Sequence, residues 1–195
     1  MAHIRLAAVQ DAQAINEIAK QYIDTPITLD YEVPSVSDKE TQILAISHSY
    51  PFLIIEDETG VLGYAYAHSN LEQPGLSWNA ILNAYIDLRA RGRGFGLVVS
   101  RVLMEILKLQ NVCNVYSIVT EGNPRSERLH KKLGFTSCGT SHKTAFKNGR
   151  WLDVTTYEYR LGSFDEPKEF VPMKRVDRAA IDEILKSANA ELAEK

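Results

Sequence analysis

Apolar side chains recur along this chain at two spacings, every second residue in some stretches and every third or fourth in others, and the switches between them lay out the elements. Residues 3–9 read as a strand. Asp11 is placed to cap a helix on which Ala14, Ile15, Ile18, Ala19, Tyr22 and Ile23 share a face, ended by Thr25-Pro26. A second helix is predicted over 38–49, with Ile43, Leu44 and Ile46 among its apolar positions. Two β-rich runs follow, 52–55 and 61–68, joined by the turn Asp57-Glu58-Thr59-Gly60. The fourth strand, over 79–88, alternates strictly: Ala80, Leu82, Ala84, Ile86 and Leu88 on one face, Ile81, Asn83, Tyr85 and Asp87 on the other.

Beyond a glycine-rich turn, Val99, Val102, Leu103, Ile106 and Leu107 form the stripe of a helix over 97–109. A fifth strand covers 115–120, and Asn123-Pro124 opens a short helix that stops at Gly134. Two last strands, 135–146 and 151–161, are joined by Asn148-Gly149. This order, β-α-α-β-β-β-α-β-α-β-β, predicts an α/β domain over 1–162, a mixed sheet with helices packed on it. Residues 163–195 form an extension: a connection with Pro167 and Pro172, then an amphipathic helix over 177–194 with Ile181, Ile184, Leu185, Ala188 and Leu192 on one side. It docks on its own domain or on a partner subunit.

Composition narrows the class. With 195 residues, 45% hydrophobic and 24% charged, the chain matches one ordinary globular domain and argues against disorder, collagen or a coiled coil. A net charge of −3 gives no general attraction to nucleic acid, although Arg89, Arg91 and Arg93 cluster. Cys113 and Cys138 are too few for a disulfide framework and lack metal-binding spacing, so no metal is expected. No secretory signal pattern and no bilayer-length apolar stretch is visible, which makes the cytoplasm the expected location and excludes a membrane partner.

The cluster of arginines frames the segment Arg91-Gly92-Arg93-Gly94-Phe95-Gly96, which lies between a strand and a helix. Unpaired N–H groups and the positive end of the helix dipole favour an anion there, and arginine is the natural fork for phosphate oxygens. The spacing is neither that of a dinucleotide fingerprint nor of a P-loop, since Leu97 stands where the former needs glycine. A tight connection and a pyrophosphate cradle are the two readings. The run from Asn123 through Ser126, Leu129 and His130 to Leu133-Gly134-Phe135 follows the fifth strand, so it and the glycine-rich turn lie at neighbouring strand ends.

Together, R-G-R-G-F-G after the fourth strand and N-P-x-S-x-x-L-H-x-x-L-G-F after the fifth resemble the two acyl-CoA motifs of the GNAT superfamily of N-acetyltransferases. Tyr22-Ile23-Asp24-Thr25, Tyr50-Pro51-Phe52-Leu53, Gly63-Tyr64-Ala65-Tyr66-Ala67, Trp78 and Phe146-Lys147-Asn148-Gly149-Arg150-Trp151 are similar to the phosphinothricin N-acetyltransferase family, over residues 4–161. The resemblance implies the GNAT fold, a mostly antiparallel sheet splayed between strands 4 and 5, and acetyl-CoA as acetyl donor to the primary amine of a small-molecule acceptor. It implies that main-chain groups of Ala84, Tyr85 and Ile86 meet the acetyl-pantetheine arm, that Arg91, Gly92, Arg93, Gly94, Phe95, Gly96 and Leu97 hold the pyrophosphate, and that Asn123, with Ser126, binds the arm from the other side. A homodimer is the expected assembly.

Two departures bear on mechanism. Where the resembling family carries the strand-4 glutamate that looks like its general base, this chain has Ile81; the family's histidine matches His130. His130 is either a catalytic group or a solvated residue beside Lys131 and Lys132, and Asn83 and Tyr85 are candidates to order a proton-carrying water. The basic and aromatic segment before the family's tryptophan is replaced by residues 71–77, without arginine, ahead of Trp78. With Trp78 and Ile81 as candidate acceptor contacts, the expected acceptor is an amine other than phosphinothricin. A peptide acceptor, or acyl-CoA binding with weak catalysis, are the alternatives.

Overall fold

The computed structural model describes residues 1–69 and 73–194. Seven strands, β1 (His3–Leu6), β2 (Phe52–Asp57), β3 (Gly60–Ser69), β4 (Asn79–Ile86), β5 (Asn114–Thr120), β6 (Thr136–Lys147) and β7 (Arg150–Arg160), form one sheet in the order β1-β2-β3-β4-β5-β7-β6. Every neighbouring pair is antiparallel except β4 and β5. Five α-helices among the described residues pack on it: α1 (Ala12–Lys20), α2 (Val36–Ser49), α3 (Phe95–Leu109), α4 (Pro124–Leu133) and α5 (Arg178–Ala193).

β2 is apolar on both faces because both are covered. Phe52 and Ile54 join Ile15, Ile18 and Ile43 beneath α1 and α2, while Leu53 and Ile55 join Ala80, Leu82, Val99 and Leu103 beneath α3. The alternation along β4 divides the same way: Ala80 and Leu82 are buried in the α3 core, with Ala84 and Ile86 packed against it. Leu88 does not follow them. It lies past the strand end in a 3-10 turn and is 46% exposed. Leu44, expected inward on the second helix, also faces solvent, because α2 turns Ile43 to the core and the helical period carries its neighbour away. That helix starts earlier than the apolar pattern shows, at Val36, where the Ser35 hydroxyl accepts the N–H of Asp38 at 3.1 Å.

Asp11 precedes α1 without capping it. Its carboxylate instead accepts the N–H of Ala8 and both terminal nitrogens of Arg5, at 2.7 to 2.8 Å, and Arg5 also grips Glu56 on β2. A buried carboxylate beside a guanidinium does better in that pair than on a helix end. Asn148 and Gly149, with φ of 52° and 75°, make the predicted hairpin turn.

The C-terminal segment belongs to the same core. Ile181, Leu185 and Leu192 of α5 are buried in the α3 cluster, and Asn189 pairs with both main-chain groups of Ile4, at 2.6 Å to the N–H and 3.0 Å to the carbonyl. The connection before α5 is tied down as well, with Gln110 Nε2 bridging the carbonyls of Ser49 and Val171 at 2.7 and 2.8 Å. α5 therefore docks on its own chain.

Candidate active site

The sheet opens where its one parallel pairing fails. β4 and β5 are in register only at Asn79–Asn114, Ala80–Val115 and Ile81–Tyr116. Beyond Ile81, β4 stays paired to β3 as far as Ile86, and β5 stays paired to β7 as far as Thr120. The facing edges diverge into a narrow cleft lined by Leu82, Asn83, Ala84 and Tyr85 on one side and by Ser117, Asn123, Ser126 and His130 on the other.

Two buried side-chain atoms at this cleft have no hydrogen-bond partner among the described residues, Asn83 Nδ2 and His130 Nε2. An unsatisfied buried group costs about 1–3 kcal/mol, so the cleft is built to be completed by a polar ligand or water. His130 is 3% exposed, which overturns the solvated reading. Its Nδ1 sits 2.7 Å from the Ser126 carbonyl, so Nδ1 carries the proton and donates it there, leaving Nε2 with a free lone pair. Burial pushes the imidazole below its ordinary pKa, against the opposing pull of that carbonyl, and the ring is neutral at pH 7. Tyr157 stacks on it at 5.6 Å and Phe135 meets its edge at 5.1 Å, fixing its orientation.

At the wide end of the cleft α3 begins. Gly92 and Gly94 both have φ of 83°, and a Cβ on either would meet nothing within 4 Å. The chain is thus folded in a conformation that disfavours side chains, around open space. The N–H groups of Arg93, Gly94, Phe95 and Gly96 have no partner among the described residues, while Leu97 and Val98 donate to the Gly94 carbonyl. A row of bare amides at the start of a 15-residue helix fits a diphosphate. Arg91 stacks on Tyr22 at 4.9 Å and Arg93 on Phe95 at 4.5 Å, which positions both cations beside the loop.

A second cavity, of about 570 Å3, lies on the other side of Tyr85, between the 28–42 segment and the phenols of Tyr64 and Tyr66. Tyr85 lines both spaces. Burial raises the pKa of all three phenols, so each stays protonated.

The acetyltransferase (GNAT) domain family matches residues 4–156 of the chain. The chain belongs to this family. Its relatives are named as acetyltransferases: the phosphinothricin N-acetyltransferase of Streptomyces viridochromogenes is 29% identical over 175 residues, covering 89% of this chain and 95% of that protein. The L-methionine sulfoximine/L-methionine sulfone acetyltransferase of Pseudomonas paraeruginosa is 29% identical, covering 82% and 95%. The crystal structure of a phosphinothricin acetyltransferase from Sinorhizobium meliloti in complex with acetyl-CoA superposes with a TM-score of 0.83 at 27% identity, over 90% of this chain and 98% of that one.

In this GNAT acetyltransferase the sheet splays between the fourth and fifth strands, as expected, and the cleft brings together Asn83, Ala84, Tyr85, Asn123, Ser126 and His130. Asn123 uses its side-chain oxygen to cap α4, accepting the N–H of Ser126 at 3.3 Å, which leaves its amide nitrogen as the donor open to a ligand. The carbonyl of Ile86 is likewise taken, by the Tyr22 hydroxyl. Ile81 is 8% exposed and sits at the last paired rung, at the apex of the cleft. Trp78 is not brought to either space: its indole donates to the Lys168 carbonyl at 2.6 Å, tying the C-terminal connection to the sheet. Of the segment before it, residues 71 and 72 lie outside the described residues. Sequence reasoning missed the cavity lined by Asp30, Lys39 and Tyr66, whose one visible signal was a lysine on the inward face of α2.

Proposed function

We propose that this chain transfers the acetyl group of acetyl-CoA to the primary amine of a small molecule, with the cleft between β4 and β5 taking the pantetheine arm and the 92–96 loop taking the diphosphate. The observation that carries the reading is the abrupt end of β4–β5 pairing beside a loop of unpaired amides. The relatives named for phosphinothricin and methionine sulfone acetylation support a small, amine-bearing acceptor.

In the reaction the amine nitrogen bonds to the thioester carbonyl carbon, the carbon–sulfur bond breaks, and the amine loses a proton. An N–H from the open edge of β4 stabilises the oxyanion, an interaction of about 3 kcal/mol for one well-placed donor. With isoleucine at position 81, His130 Nε2 is the neutral base that lines the cleft, and Asn83 Nδ2 is a donor able to hold the water between base and amine. Tyr85, held protonated, serves as a hydrogen-bond donor.

A cytoplasmic location is part of the proposal; among the described residues no helix is long and apolar enough to cross a membrane. A homodimer is supported by exposed apolar side chains on the β6–β7 hairpin, Phe146 and Trp151, whose rings meet at 5.4 Å. The test of function is thiol release from acetyl-CoA with a panel of free amines and amino acids, scored against the acceptor-free rate. Acetyl-CoA binding with no acetylated product from any amine would reject it.

A further inference from the structure

The large cavity differs from the cleft in charge. Asp30, Glu32 and Asp38 line it, against one lining cation, Lys39. That lysine is 8% exposed and gives its ammonium to Gln42 Oε1 at 2.6 Å. Lys147, buried close by, is equally engaged: it donates to the carbonyls of Thr28 and Asp30 at 2.7 and 2.5 Å and so shapes the loop. Asp30 acts electrostatically on both lysines, and the three lining carboxylates still outnumber these two ammonium groups.

The floor is built from hydroxyls. Tyr64 and Tyr85 face each other in register on β3 and β4 with rings 5.2 Å apart, and Tyr66 continues the row at 6.3 Å from Tyr64. Tyr64 is 3% exposed, yet it lines the cavity and its hydroxyl has no hydrogen-bond partner among the described residues. The Asp30 carboxylate, which accepts the Thr28 hydroxyl at 3.0 Å, acts electrostatically on all three phenols. A protonated phenol still offers oxygen lone pairs, so one carboxylate and several acceptor oxygens converge on space that suits a desolvated ammonium group.

We infer that the cavity is the acceptor site and that it selects a short linear diamine, one ammonium held by Asp30 among the tyrosine hydroxyls while the second amine passes Tyr85 to the cleft. This rests on the acetyltransferase reading above and names its substrate class. The anchored ammonium keeps its protons throughout. The other nitrogen, as free amine, bonds to the acetyl carbon, coenzyme A leaves as the thiolate, and the proton released from nitrogen goes to His130 Nε2. The product is a monoacetylated diamine that retains one positive charge.

The experiment measures thiol release by the full chain with acetyl-CoA and three acceptors: 1,5-diaminopentane, pentylamine and methionine sulfone. The diamine is expected to exceed both others in kcat/KM by about tenfold or more. Asp30→Asn is expected to raise the diamine KM about tenfold, with the acetyl-CoA dissociation constant unchanged by calorimetry. Should that variant not fold, the salt dependence of the native protein decides: the diamine KM rises with salt and the pentylamine KM does not. Equal use of pentylamine, or preference for methionine sulfone, overturns the diamine assignment and leaves acetyl transfer standing. Acetyl-CoA binding without turnover of any amine overturns both.

Discussion

Replacing His130 by phenylalanine separates its chemistry from its packing. The new ring fits the same slot, stacked on Tyr157 and edge-on to Phe135. The change removes the bond to the Ser126 carbonyl, worth about 1 kcal/mol, and also removes Nε2, a buried atom whose missing partner costs about 1–3 kcal/mol. These nearly cancel, so the melting temperature and acetyl-CoA affinity should hardly move. Turnover should fall by about 100-fold, the lower end for a lost general base, equivalent to about 2.7 kcal/mol of barrier. The pH profile adds an independent check. Because burial depresses the histidine pKa, native kcat/KM should gain its acid limb below about pH 6.5, and the variant should lack that limb. Stability moves with the same sign: the unfolded histidine takes up its proton first as pH falls through about 6.5, so the native fold weakens from there down to the folded pKa, and the variant is spared this loss. The assay is steady-state thiol release from pH 5 to 9 with parallel thermal melts. Turnover within threefold of native, with the acid limb intact, would refute the role given to His130.

Gly94→Val should abolish measurable acetyl-CoA binding by calorimetry, since a β-branched residue is forced to φ of 83° and its side chain enters the space faced by the bare amides; native affinity would exclude the loop as the diphosphate site. Asn189→Ala removes two hydrogen bonds to Ile4, about 2 kcal/mol, and should lower the melting temperature by roughly 4–8 °C without changing kcat; an unchanged melt would show that apolar packing alone docks α5. The Asp11 carboxyl is drawn up by burial but brought below its usual range by Arg5 and the Ala8 N–H, and Arg5 lowers Glu56 directly. The stability from this cluster is therefore present above about pH 4 and lost as pH falls through the depressed values, so Arg5→Gln should flatten the acid limb of urea stability between roughly pH 5 and 2.

Much of this was legible in the sequence, because strict alternation along 79–86 and the Asn148-Gly149 turn leave little choice of register. The geometry of the 92–96 turn and of the α4 cap was legible too, since glycines at 92 and 94 and the asparagine at 123 answer to backbone geometry that a motif encodes. Side chains that meet only through tertiary packing were not. Nothing local tells that Trp78 ties down a connection ninety residues later, or that Asp30 lies among phenols from β3 and β4. His130 was ambiguous because its neighbours Lys131 and Lys132 point to solvent while its own turn of the helix points inward.

The failed rungs past Ile81 have a thermodynamic consequence of their own. From Leu82 to Ile86 and from Ser117 to Thr120, each strand is paired to a neighbouring strand along one side only, and along the other the Tyr22 hydroxyl meets the Ile86 carbonyl at the far end of β4. Anything that wedges in there stitches two half-sheets together, so substrate occupancy should register as slowed amide exchange along those two stretches and as a melting point that climbs with ligand concentration. Unliganded, the sheet is mechanically a hinge pinned at three rungs, and a molecule seated in the gap would stiffen it.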